Sequence, residues 1–218
     1  MTDGLNNAIT RREILPLAGL VAGLGLGSGL RWWRRGQSAL APGQGAVLRP
    51  PGARSESAFL AACTRCAQCI EVCPDNCLLP VDLGSGLLTA ATPHLIPRQT
   101  PCHLCRGEEQ LLCIAACPTD ALAPVAEHRA LTMGTALIDQ ATCLAHLGTI
   151  CRACWHACPL IDEAIVLDER GRPTIVEEAC IGCGLCDHAC LVEPSAITML
   201  PFGRRTAEVG RAREVERG

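Results

Sequence analysis

The sequence predicts an α+β fold built from two similar halves behind a separate leader, and three observations carry that prediction. Sixteen of the seventeen cysteines fall into four groups of four. Short apolar runs separated by turn residues lie ahead of the third group, between the third and fourth, and after the fourth, where strands are expected. Aromatic residues make up only 2% of the 218 residues, so the bulky side chains of an ordinary core are missing. Something other than aromatic packing must hold the centre.

The cysteines supply it. Cys63, Cys66, Cys69 and Cys73 are spaced C-x2-C-x2-C-x3-C, with Pro74 after the last. In bacterial ferredoxins this spacing wraps three thiolates around one 4Fe-4S cube and sends the fourth to a neighbouring cube. Cys102, Cys105, Cys113 and Cys117 repeat the pattern with a seven-residue gap, before Pro118. Cys143, Cys151, Cys154 and Cys158 place the same gap one interval earlier, before Pro159. Cys180, Cys183, Cys186 and Cys190 restore the undisturbed spacing, with Leu191 where a proline would stand. Sixteen thiols are enough for four 4Fe-4S clusters in two ferredoxin-like modules with long loops.

Rival chemistries fit less well. An odd cysteine count and C-x2-C spacing argue against a disulfide framework. Zinc uses paired C-x2-C units and has no use for a C-x2-C-x2-C triplet. Gly182 and Gly184 suit the close approach of backbone to a cube. Each proline after a fourth cysteine biases that cysteine toward extended backbone and is expected to open a helix. With clusters as the core, the metal-free chain is expected to be largely unfolded.

All nineteen basic residues are arginine, and the formal charge is −3. Residues 1–41 carry a net +3, leaving −6 for the remainder. Four oxidised cubes with their thiolates would take the mature domain to roughly −14. Such a body repels nucleic acid and attracts basic partner surfaces.

Along the chain, residues 1–41 read as a twin-arginine signal or membrane anchor: Arg11-Arg12 precede a weakly apolar stretch to Leu30. Export through the twin-arginine translocase suits a protein whose clusters are inserted before it crosses the membrane. Trp32 and Trp33 between arginines are interfacial anchors, and Pro42 beside Ala39-Leu40-Ala41 disfavours cutting, so retention or slow cleavage is expected. The glycines of residues 23–29 do not form G-x-G-x-x-G. Residues 42–57 are a linker and 58–202 the four-cluster domain. Within it, Ala58–Ala62 reads as helix, Leu83–Arg98 as a long irregular connection and Ala130–Asp139 as a strand. Ala164–Leu167 and Pro173–Val176 form a hairpin, and Ala196–Leu200 a closing strand. Residues 203–218 alternate Arg and Glu and read as a charged, disordered tail.

No paired acid and base, nucleophile or nucleotide pocket is evident, so the chain is read as an electron carrier without its own substrate site. Cys77 stands outside the pattern and is read as a small buried apolar residue, with a spare ligand or a redox thiol as the alternatives. None of His94, His103, His128, His146, His156 and His188 replaces a missing cysteine, so none is expected to ligate. Trp155 is read as a shield between cube and water. The insertions Arg106–Leu112 and Leu144–Ile150 are docking loops or mere spacers.

On Leu48-Arg49-Pro50-Pro51-Gly52-Ala53, Pro101-Cys102-His103-Leu104-Cys105 and Cys180 to Leu191, the chain resembles the MauM/NapG-type ferredoxins over roughly residues 8–202. The resemblance implies a periplasmic polyferredoxin at the outer face of the cytoplasmic membrane. It would pass electrons from a membrane-bound quinol-oxidising iron-sulfur subunit to a periplasmic reductase or cytochrome, in nitrate reduction or methylamine utilisation. The same pattern would serve the iron-sulfur subunit of a molybdopterin oxidoreductase complex, or a cluster-bearing assembly factor. The regular motifs are outermost and the gapped ones innermost, which favours nested pairing over consecutive pairing. Nesting would set Cys190 beside Cys63, Cys66 and Cys69, and Cys73 beside Cys180, Cys183 and Cys186, with Cys117 and Cys158 crossing between the inner pair.

Overall fold

Short elements follow from motifs that leave few residues between ligands. The computed structural model describes residues 47–203, so the twin-arginine segment, its cleavage site, most of the linker's first half and the charged tail lie outside the described residues. Among the described residues no helix is long and apolar enough to cross a membrane. The chain runs α1 (Glu56–Ala62), α2 (Gln68–Glu71), β1 (Leu78–Pro80), β2 (Pro93–Leu95), α3 (Leu112–Ala115), β3 (Gly134–Ile138), α4 (Ala153–Ala157), β4 (Ile165–Leu167), β5 (Pro173–Ile175), α5 (Leu185–His188) and β6 (Ile197–Pro201).

The strands form three antiparallel pairs, β1–β2, β3–β6 and β4–β5. In the second half, β3 and β6 pair from Gly134 opposite Pro201 to Ile138 opposite Ile197, enclosing the third and fourth motifs. The hairpin β4–β5 lies between those motifs. The first half repeats the plan in reduced form. Hairpin β1–β2 lies between the first and second motifs, and the enclosing pair shrinks to one bridge, Ala53 with Leu122, where the Ala123 amide donates to the Gly52 carbonyl at 2.7 Å.

Leu48 to Ala53 forms the floor of the first half. The Leu95 amide donates to the Leu48 carbonyl at 2.9 Å, and Pro50 and Pro51 are buried. Arg49 is 5% exposed yet fully employed. Its guanidinium donates to Thr92 Oγ1 at 2.8 Å and the Pro93 carbonyl at 2.9 Å, and grips both oxygens of Glu56. It also stacks 4.7 Å over the Phe59 ring, whose side chain is fully buried. Glu56 thus starts α1 two residues before Ala58, where the helix was expected, and its charge suits the helix N-terminus.

Three other expectations shift. The short helices do not start at the prolines; each encloses the third cysteine of its motif, Cys69, Cys113, Cys154 and Cys186. A three-residue interval between third and fourth cysteine is one helical turn, which the chain spends before the proline. Leu83–Arg98 contains β2, whose partner is β1; strands of three residues with Pro80 opposite Pro93 give no alternating signal. Ala130–Asp139 is strand only over β3, and His128–Ala130 is a single 3-10 turn. The hairpin and the closing strand stand where expected.

Candidate metal centres

Thiols occupy the middle of the fold. Cys77, Cys102, Cys105, Cys113 and Cys183 belong to one buried cluster with Phe59, Leu78 and Leu122, while Cys154 and Cys186 lie in another with Ile165 and Ile197. All seventeen are free.

Four cavities are lined by these sulfurs. Cys63, Cys66, Cys69 and Cys117 line the first. Cys73, Cys102, Cys105 and Cys113, together with Cys77, line the second. Cys143, Cys151, Cys154 and Cys190 line the third, and Cys158, Cys180, Cys183 and Cys186 line the fourth. In each, three thiols come from one motif and one from its partner. All sixteen cysteines singled out by spacing are therefore brought to a cavity. A roomier cavity of about 290 Å³ lies elsewhere, between Arg49, Met133 and Phe202, and is lined by no cysteine.

This grouping overturns nested pairing. Cys117 joins the first motif and Cys73 the second; Cys190 joins the third and Cys158 the fourth. Pairing is consecutive. The reason is that α2 packs on α3, and α4 on α5. The seven-residue gaps carry no pairing information, because residues 106–110 and 147–150 are exposed loops that leave those helix contacts unchanged.

Backbone curvature in the cysteine loops is matched between the first and fourth motifs. Arg65 and Ala67 have φ of 58° and 62°, and the corresponding Gly182 and Gly184 have 76° and 77°. Left-handed residues turn the chain around the cavity. At Gly184 the contact is also tight: a Cβ there would lie 2.2 Å from the Pro97 Cβ. Arg65 is held by bonds to the carbonyls of Ala90 at 3.0 Å and Leu88 at 2.8 Å.

Electrostatics follow from burial. It pushes Cys69 up to about 11, helped by the nearby Cys63, Cys117 and Cys66. Burial likewise raises Cys154 to about 11 and Cys183 to about 12, and drives Cys113 and Cys186 upward. Amide hydrogen bonds oppose it, each from the residue two places on: Leu104 to Cys102, Leu160 to Cys158 and Leu185 to Cys183. At Cys117 burial is outweighed by bonds with Thr119, Leu122 and Ala121, and the thiol falls below its usual value. Amides aimed at sulfur favour thiolate, the form that binds metal.

No family model matches the chain. Individual relatives do. It is 39% identical over 211 residues to the ferredoxin-type protein NapG of Escherichia coli K12, covering 91% of this chain and 87% of that one. It is 37% identical over 217 residues to the methylamine utilization ferredoxin-type protein MauM of Methylorubrum extorquens, covering 93% and 96%. NapG of Haemophilus influenzae is 37% identical, covering 92% and 73%. The chain belongs to the NapG/MauM family of ferredoxin-type proteins.

Iron-sulfur chemistry and electron transport come with that family, and this chain has the donors for it. The cavity linings are thiols among apolar residues, a soft donor set. The thiols ring a volume without meeting at a point: among the described residues no three His, Cys, Asp or Glu are placed to hold a single metal ion. A ring of four sulfurs suits a polynuclear centre. None of the six histidines lines a thiol cavity. His94 and His146 bond to the carbonyls of Leu79 and Pro173, and His188 to that of Arg98. Trp155 packs on the buried cluster of Cys154 and Cys186 and donates its indole N–H to Asp162 at 2.9 Å. Cys77 is buried, as expected, but at a cavity wall. Spacing missed Arg98, whose guanidinium reaches the carbonyls of Asp187 and Cys190 across the two halves; no motif marks it.

Proposed function

We propose that each thiol-lined cavity holds one 4Fe-4S cluster, ligated by Cys63, Cys66, Cys69 and Cys117; Cys73, Cys102, Cys105 and Cys113; Cys143, Cys151, Cys154 and Cys190; and Cys158, Cys180, Cys183 and Cys186. The observation that carries this reading is the exchange of fourth cysteines between partner motifs, which the two-cluster ferredoxin arrangement requires. Each cube supplies one-electron storage at a potential set by its surroundings. The protein's own share is to hold the cubes, exclude water and aim amides at the sulfurs.

The cavities follow one another. Cys69 and Cys117 of the first pack against the buried cluster that holds Cys102, Cys105 and Cys113 of the second. Cys183 of the fourth lies in that same cluster, and Cys154 of the third shares another with Cys186 of the fourth. Electrons would run through the cavities in the order first, second, fourth, third, or the reverse. The first and third are then the terminal stations, and Cys66 in the first is exposed.

The chain is an electron carrier without a substrate site. By its likeness to NapG and MauM it works in the periplasm, exported by the twin-arginine route and held at the outer face of the membrane. It takes electrons from a membrane quinol-oxidising iron-sulfur subunit and gives them to a periplasmic reductase or cytochrome, in nitrate reduction or methylamine utilisation. Anaerobic purification with iron and sulfide counting tests the cluster content. About sixteen of each per chain are expected, and about eight would reject four clusters.

A further inference from the structure

The second cavity differs from the other three in having five sulfurs on its wall. Cys77 Sγ lies 3.4 Å from Cys73 Sγ, and the Cys77 side chain is 2% exposed. Two separate constraints put it there. The Asn76 amide donates to the Cys73 carbonyl at 3.1 Å, with Asn76 at φ 50°, so the chain reverses directly after Pro74. Cys77 is then followed by Leu78, locked opposite Leu95 in the β1–β2 pair. The sheet, not the first motif's loop, thus fixes the backbone at Cys77. Cys73 is also the one ligand of this cavity delivered from another motif, and it is only partly buried, whereas Cys102, Cys105 and Cys113 are buried.

A cube has four irons and needs four protein sulfurs, so five leave one thiol over. We propose that Cys77 is an interchangeable iron ligand, able to replace Cys73 at the second cavity. The inference rests on the four-cluster reading. In the exchange, the iron bond to Cys73 breaks as the bond to Cys77 forms, and the proton of Cys77 passes to the departing sulfur of Cys73. The iron keeps its oxidation state, and no other reactant is consumed. A single rotamer step of a cysteine is comparable with the gap to be crossed. Among the four exchanged cysteines, Cys73, Cys117, Cys158 and Cys190, only Cys73 has a further cysteine lining its cavity.

The test compares full-length wild type, Cys77→Ala, Cys73→Ala, Cys73→Ala with Cys77→Ala, and Cys117→Ala after anaerobic reconstitution with iron and sulfide. Iron per chain and the paramagnetic resonance spectrum of the reduced protein are read. Cys77→Ala and Cys73→Ala are expected to keep the wild-type iron count, whereas the double variant and Cys117→Ala each lose about four irons. Loss of iron in Cys73→Ala equal to that of the double variant overturns the proposal. If Cys73→Ala gives no soluble chain, Cys73→Ser with and without Cys77→Ala makes the same comparison, and equal iron in that pair overturns it. A wild type that takes up no iron and sulfide rejects instead the cluster reading on which the proposal rests.

Discussion

The Arg98 guanidinium donates to the Cys190 carbonyl at 2.9 Å, so a residue of the first half holds the last cysteine of the fourth motif. The same group reaches the carbonyls of Asp187 at 2.8 Å and Val192 at 3.2 Å and pairs with Glu193. Of its acceptors, the carbonyls of Asp187 and His188 belong to the end of α5 and those of Cys190 and Val192 to the segment after it. The two modules are therefore not independent beads on a string. A second observation makes the same point, because Phe59, Leu78 and Leu122 of the first half share one buried cluster with Ile181, Cys183 and Leu185 of the second.

Arg98→Ala is expected to loosen Cys190 and, through it, the third cavity. After reconstitution, iron release to a chelator should become biphasic, with about a quarter of the iron leaving several-fold faster than the rest. Arg98→Lys, which keeps the charge but reaches fewer carbonyls, should fall between. Release indistinguishable from wild type would show that the carbonyl contacts do not hold this loop.

Metal removal should unfold the described domain, since thiols fill the positions that aromatic side chains take in other cores. Circular dichroism and protease resistance should both collapse on iron removal and return only with iron and sulfide together. The pH dependence has a definite sign. Burial holds Cys69 and Cys154 up at about 11 and Cys183 at about 12, so protons compete with iron for these sulfurs at neutral pH. Iron retention against a fixed chelator should rise as pH goes from about 6 toward 9 and fall on acidification.

Arg49→Ala should destabilise the loaded protein by about 2–4 kcal/mol, since it strips partners from Thr92, the Pro93 carbonyl and Glu56 and removes the cover from Phe59. Glu56→Ala, at a residue half exposed to solvent, should cost less. Anaerobic denaturant titration of the loaded chains gives the order, and a larger loss for Glu56→Ala would show that the ion pair, not the buried bonds, dominates.

Cysteine spacing made sixteen of the seventeen cavity thiols legible, because ligand geometry is written in chain separation; Cys77, outside every motif, was the one it did not mark. It could not reveal which motif faces which: that depends on α2 against α3 and α4 against α5, helices of four or five residues with no face of their own to read. Symmetry of the gaps pointed to nesting, yet the gaps are surface loops. β2 was hidden by prolines and brevity, and the helix starts were misplaced because Pro74 is followed by a turn around Asn76. The hairpin of residues 165–175 was legible because Gly171 and Asp168 mark its turn, where the Asp168 carboxylate accepts from the amides of Arg170 and Arg172 at 2.9 Å.

The matched left-handed positions of the first and fourth motifs give opposite expectations for two substitutions. Ala67 adopts φ 62° with a side chain that disfavours it, so Ala67→Gly should relieve about 1 kcal/mol of backbone strain, less the added freedom of the unfolded chain. Gly184→Ala fails on two counts: its φ is 77°, and the new Cβ would meet Pro97 at 2.2 Å. Pro97 adjoins Arg98, so the clash would also push the first half away from Cys186 and Cys190. Ala67→Gly should therefore hold iron at least as well as wild type under chelator challenge, while Gly184→Ala loses the fourth cavity's iron first. The check is iron retention with paramagnetic resonance of the reduced chains, and a Gly184→Ala protein retaining its full iron would show that Pro97 can give way.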